Sequence, residues 1–240
     1  MMAKSDADLA TVKHRYRLSD GSIAPSVTAI CDGFVDDGKS RAFAGAAARL
    51  TREGKVWHEE WKASGDRGTR VHDHLHAFTT GKSVDAQDDE LAYLEAAKIA
   101  WRTLKIGRDG RSEFVVISDA FRYGGRGDYM GPVTWPDGER CHSLLDWKTG
   151  DPWPLAHAMQ VNAYANGDGF AEYDDDGKLL SLTPFDKPER VGCVYLSPDG
   201  YRLIEYPLDN EVFGLFTQLA SAKSAHAALK KRFRKAGYEV

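Results

Sequence analysis

The stretch HSLLDWKTGDPWP, residues 142–154, decides how the chain is read. Leu144, Leu145 and Trp147 predict a buried strand, and Pro154 opens a helix behind a short loop. Asp146 and Lys148 sit two apart within that strand. Pleat alternation turns both towards the face opposite Trp147. A half-buried acid and amine need each other, another partner or a function, because isolated charge in a core is costly. The same Asp-x-Lys spacing recurs at Asp37–Gly38–Lys39 and Asp176–Gly177–Lys178. There the central glycine predicts surface turns.

Outward from this strand, SEFVVISDAFRYGGRGDYMGPVTW (112–135) is rich in β-branched and aromatic residues with glycine breaks, and reads as the preceding strands of a meander. PLAHAMQVNAYANG (154–167) follows as a helix, and RVGCVYLSPDGYRLIEYPL (190–208) as a hairpin turning at Pro198–Asp199–Gly200. Upstream, HRYRLSDG reads as a strand and turn, and a short helix follows Pro25–Ser26. An alanine-rich helix is expected to end near Gly65, and a polar turn precedes a second helix that runs to Gly81. An amphipathic helix carries Leu91, Leu94, Ala97, Trp101 and Leu104. The last helix places Val212, Leu215, Leu219, Ala222, His226, Leu229 and Phe233 at core spacing.

The expected fold is a single α/β domain over residues 1–240, with a mixed sheet of about five strands flanked by helices. Residues 1–110 form a mainly helical N-terminal portion, 111–208 the sheet core, and 209–240 a C-terminal helix with a basic end.

Composition narrows the class. The 240 residues are 42% hydrophobic and 28% charged, as in an ordinary globular protein. No apolar run approaches the ~18 residues of a membrane span, and the N-terminus lacks a signal peptide's apolar stretch. No membrane partner is expected. Cys31, Cys141 and Cys193 are scattered, which argues against a disulfide framework and for a reducing cytoplasm. The net charge is −4, yet Lys223 to Val240 is basic. A basic end holds a phosphate backbone even on an acidic chain, or is simply a solvated helix end.

Other acids and amides gather around the Asp-x-Lys strand. GGRGDYMG places Asp128 at the glycine-rich start of the preceding strand. Two carboxylates side by side repel unless a cation lies between them, and hard oxygen ligands suit Mg²⁺ or Mn²⁺. Glu113 leads the strand before, as a third candidate acid. Gln160 and Tyr164, four apart on the following helix, project from one face.

In this order the residues resemble the PD-(D/E)XK nuclease superfamily, in its RecB-like branch with phage and CRISPR-associated exonucleases. Gly68-Thr69-Arg70-Val71-His72 matches the family's Gly-x-x-x-His helix, Glu113 its glutamate-led strand, and Gly125-Arg126-Gly127-Asp128 its Gly-x-x-Asp. Asp146-Trp147-Lys148 and Gln160-Val161-Asn162-Ala163-Tyr164 complete the set. APSVTAI (24–30) resembles the family's N-terminal segment.

The resemblance implies a restriction-endonuclease-like core and a Mg²⁺- or Mn²⁺-dependent deoxyribonuclease. Its metal would lie on His72, Asp128, Asp146 and the Trp147 carbonyl. Lys148 would orient the attacking water or stabilise the transition state. Glu113 would hold a metal-bound water or second ion, and Gln160 and Tyr164 would position the substrate. An exonuclease acting in recombination, repair or phage DNA processing is the expected activity. The partners would be single- or double-stranded DNA with a free end, and possibly recombination proteins. The location would be bacterial cytoplasm, or host cytoplasm if phage-encoded. Many CRISPR-associated relatives hold an iron–sulfur cluster on four cysteines; the late trio is missing here, so no cluster is expected. Arg67, Arg70, Arg122 and Arg126 flank the motifs as candidate phosphate contacts, or are ordinary surface arginines.

Two other readings remain open. One is a catalytically inactive protein of this fold that binds DNA or a recombination partner. The other is a zinc hydrolase using His72, His74 and His76, although no His-Glu-x-x-His signature accompanies them.

Overall fold

Strand β5 (Arg140–Lys148) is an interior strand of a seven-stranded mixed sheet. The computed structural model describes residues 16–32 and 37–238. The stretch read for a signal peptide falls almost wholly outside those residues, as do Glu239 and Val240 of the basic end.

Before the sheet come a two-stranded ribbon, β1 (Tyr16–Arg17) and β2 (Ile23–Ala24), and helices α1 (Val27–Asp32), α2 (Asp37–Arg52), α3 (Trp57–Thr79) and α4 (Leu91–Thr103). Then follow β3 (Arg111–Ser118), β4 (Tyr123–Thr134), β5, α5 (Pro154–Ala165), β6 (Gly169–Tyr173), β7 (Leu179–Thr183), β8 (Arg190–Ser197), β9 (Gly200–Tyr206) and α6 (Asn210–Lys235). The sheet order is β7-β6-β3-β4-β5-β8-β9. β3, β4 and β5 form an antiparallel meander, and β8 returns parallel to β5 after α5 and the β6–β7 hairpin, which adds to the sheet beside β3. The molecule is therefore a mixed α/β core with a helical N-terminal portion. No helix among the described residues is long and apolar enough to cross a membrane.

β5 divides the core as its pleat dictates. Leu144 faces α1, α5 and α6, while Leu145 and Trp147 face α3 and α4. Leu144 and Leu145 are completely buried, each contributing about 2 kcal/mol of apolar transfer. Trp147 stacks on Trp101 of α4 at 6.2 Å. The run Ala158–Ala165 in α5 is buried on every side. Asn162 fixes the helix further: its amide donates to the Pro207 carbonyl at 2.9 Å and its Oδ1 accepts from the Asp209 N–H at 3.0 Å. Asp209 in turn caps α6.

Four expectations need correction. The sheet has seven strands rather than about five, because the acidic stretch 172–177 closes β6 and turns into β7, with Gly177 at φ +72°. The break expected at Gly65 is absent: α3 continues through Gly65 and Gly68, held by flanking helix formers. Asp37–Lys39 opens α2 rather than forming a turn. In α6 the buried residues are Phe216 and Ala220, and Leu229 and Phe233 are exposed.

Candidate active site

The end of β5 opens into a cleft of about 400 Å³ between the two helical layers. Asp146 and Lys148 come from β5, Asp128 and Arg126 from β4, His72 from α3, and Gln160 and Tyr164 from α5; all seven line it. The register that pairs Tyr129 with Leu145 and Met130 with Leu144 brings Asp128 beside Asp146.

Asp128 is 9% exposed and doubly held. Its Oδ1 lies 3.1 Å from His72 Nδ1, and its Oδ2 accepts the Trp147 backbone N–H at 2.7 Å. Trp147 thus reaches the site through its backbone, with its ring in the opposite core. Asp146, 1% exposed, forms an ion pair with Lys148 and accepts from Gln160 Nε2 at 3.2 Å. The same Gln160 accepts from Lys148 Nζ at 3.0 Å and donates to Tyr164 Oη at 2.9 Å. Asp146 Oδ2 has the ammonium against it, yet no hydrogen bond of proper direction.

Charge is tuned by this crowding. Burial, reinforced by the Asp128 charge, pushes Asp146 up to about 6 against the pull of Lys148. Burial and Asp128 likewise push Glu113 up to about 7, although Arg126 opposes. Burial works against the His72 cation, but the charge and hydrogen bond of Asp128 outweigh it and hold the ring up to about 9. For Asp128 itself burial is again opposed and overcome, by His72, Lys148 and the Trp147 N–H, so its carboxyl lies below the usual range. Groups poised against each other in a cleft are where acid–base and metal chemistry are found.

Ligand atoms of His72, Glu113 and Asp128 all lie within 4.8 Å of one another. This grouping differs from the expected one: Glu113 belongs to it, whereas Asp146 is turned to Lys148 and Gln160. The reason is local, since Lys148 shares Asp146's strand face and Gln160 covers both. Glu113 has φ +51°, a left-handed backbone that is strained for a side chain with a Cβ, and Arg126 pairs with it at 3.0 Å. A nitrogen and two carboxylates, with a third carboxylate oxygen lacking a directed hydrogen bond beside them, fit a hard divalent cation.

Two glycines of the motifs serve close approach. A Cβ on Gly68 would lie 2.9 Å from Thr149 Oγ1, and one on Gly125 would lie 2.5 Å from the Tyr164 ring.

The arginines separate. Arg126 lines the cleft. Arg70, two residues before His72, is about 200° round the helix from it and is bound to Asp89 and Glu90 instead. Arg67 lies over the Tyr93 ring at 4.9 Å. Arg122 holds Asp20 and Ser22 beside the β1–β2 ribbon. None of these three is among the residues that line the cleft, although Arg67 also reaches the cleft residue Ser64 at 3.4 Å. The histidines separate too: His74 bonds the buried Glu90 at 2.9 Å and His76 bonds Ser112 at 2.9 Å.

Sequence reasoning missed Tyr16, Ser64, Asp73 and Thr149, which also line the cleft. Ser64 and Asp73 carried a signal, being close to the helical face of Gly68 and His72; Tyr16 carried none.

No family model matches the chain, and no curated protein matches it. Among solved structures it is similar to the crystal structure of SSO0001, at 16% identity and a TM-score of 0.30, over 55% of this chain and 56% of that one. The chain thus spans little more than half of that neighbour, and a likeness at this level establishes neither family nor function.

Proposed function

We propose that the protein is a divalent-metal-dependent deoxyribonuclease of the RecB-like PD-(D/E)XK type. The observation that carries this reading is the meeting of His72, Asp128, Asp146, Lys148 and Gln160, from four different elements, in one open cleft, with Glu113 of β3 grouped with His72 and Asp128. A mixed sheet flanked by helices agrees with the core that the resemblance implies.

His72, Glu113 and Asp128, with Asp146 and the Trp147 carbonyl beside them, would hold Mg²⁺ or Mn²⁺, which when bound lowers the pKa of water and offsets phosphate charge. The chain's own groups do the rest. Gln160 and Asp146 fix the Lys148 ammonium at the cleft, where it donates to the attacking water or to a phosphate oxygen as charge develops. Burial works against that ammonium, but the neighbouring Asp146 charge outweighs it and keeps the amine protonated. Tyr164, locked through Gln160, holds this geometry. Arg126 steadies Glu113 and adds a cation near the phosphate path. Three buried cysteines without a disulfide suit a reducing compartment such as cytoplasm.

The test is end-labelled linear DNA against closed circular DNA, with Mn²⁺ or EDTA, for wild type and Asp146→Asn. Mn²⁺-dependent loss of linear DNA, abolished in the variant, is expected of an exonuclease. Calorimetric Mn²⁺ binding without any cleavage would favour a non-cutting DNA-binding protein.

A further inference from the structure

Helix α3 carries a stripe that leads out of the cleft. Trp57, Trp61, Gly65, Gly68 and His72 are separated by four, four, three and four residues, which aligns them along one helix face. Gly65, Gly68 and His72 line the cleft. Trp61 lies about 16 Å further along the helix from His72. There the wall turns aromatic. Trp61 meets Phe43 of α2 edge-on, with ring centroids 5.2 Å apart, and meets Trp57 at 4.6 Å. Phe43 also stacks on Trp153 at 6.0 Å and 17°. Trp153 ends the loop that leaves β5 at Lys148, the same loop that touches Gly68 through Thr149.

Three elements therefore build one aromatic ledge, set beyond the cleft on the helix that carries His72. Phe43 is 43% and Trp57 40% exposed. Clustered rings left open to water mark a binding surface more often than a packing accident.

We infer that this ledge stacks unpaired bases of the DNA strand whose phosphodiester enters the cleft, so that the substrate is single-stranded next to the scissile bond. The inference rests on the nuclease reading and names its substrate class. Aromatic rings accept any base face, whereas a duplex hides its base faces within the stack. Between ledge and ligands, Gly65 and Gly68 present no side chain, which lets a sugar–phosphate backbone lie close to the helix.

The experiment measures binding of a short labelled oligonucleotide by fluorescence anisotropy in EDTA, with tryptophan quenching as a second signal. The probes are an unpaired strand, the same strand with abasic positions, and a blunt duplex. Wild type should bind the unpaired strand with quenching, prefer it to the duplex, and lose roughly 5- to 100-fold affinity for the abasic strand. Trp57→Ala should lose a similar factor on the unpaired strand and little more on the abasic one. Equal affinity of wild type for unpaired and abasic strands, or a preference for duplex, overturns the inference without needing any variant to fold. If cleavage with Mn²⁺ persists in that case, the ledge alone is wrong. If wild type neither cleaves nor binds any of the probes, the nuclease reading falls with it.

Discussion

Trp147 donates its backbone N–H to Asp128 Oδ2 at 2.7 Å, so the strand presenting Asp146 and Lys148 is fastened to the carboxylate of its neighbour. One side chain thus serves the sheet and the site together, and the two roles separate by substitution. Asp128→Asn keeps an acceptor for Trp147, while Asp128→Ala leaves a buried N–H unpartnered at a cost of about 1–3 kcal/mol. Both variants should lose Mn²⁺ binding by calorimetry, and only the alanine should lower the urea midpoint clearly. Wild-type Mn²⁺ affinity in Asp128→Asn would remove Asp128 from the ligand set.

Lys148 and Asp146 form a nearly buried pair, their side chains 20% and 2% exposed. Lys148→Met strands the Asp146 carboxylate and should cost about 3 kcal/mol at neutral pH. Adding Asp146→Asn removes the stranded charge and should recover most of that loss, with activity absent in both proteins. Denaturation of the single and double variants measures this coupling. Simple additivity of the two effects would mean that the pair does not interact.

The pH dependence of the metal-free protein follows from the same cluster. His72 titrates higher folded, at about 9, than its ordinary 6.5, so its stabilisation is complete below 6.5 and is lost as pH rises through 9. Glu113 and Asp146 also titrate high, at about 7 and about 6 against 4.5 and 3.8. Their ionisation in the fold is disfavoured, so each removes stability as pH climbs to its folded value. The lowered carboxyl of Asp128 acts in the opposite sense, but only below its ordinary 3.8. In EDTA the urea midpoint should therefore fall steadily between pH 5 and 9, and His72→Gln should flatten the upper half of that fall. A midpoint rising over this range would contradict the arrangement.

Local chemistry was legible in sequence wherever a motif and its partners lay on adjacent elements. Asp146, Lys148, Gln160 and Tyr164 sit within one strand–loop–helix unit, and strand and helix periodicity alone aims them at one point. The partners of Arg70 were not legible, because Asp89 and Glu90 lie 19 and 20 residues away across a loop. Gly65 was read as a helix end, whereas α3 runs through both Gly65 and Gly68. The latter is the spot where a loop passes too closely for a Cβ. The hairpin β6–β7 was hidden by its acidic turn, since short half-exposed edge strands carry little apolar alternation.

Glu90 is fully buried at the start of α4, where it holds Arg70, His74 and the Gln87 N–H. Its several donors keep its carboxyl below the usual range despite burial. Glu90→Ala should cost about 3 kcal/mol by leaving these groups unpaired. Calorimetric Mn²⁺ stoichiometry should stay unchanged, because the clasp lies outside the cleft. Loss of Mn²⁺ binding at full stability would show instead that Glu90 belongs to the site.

The left-handed backbone at Glu113 has a consequence for laboratory evolution. A conformation that glycine or asparagine adopts with ease is here occupied by a residue that resists it. A library screened only for heat resistance should drift at position 113 towards those two residues. A library screened for DNA degradation should hold glutamate, and that divergence would reveal which demand the fold was shaped to meet.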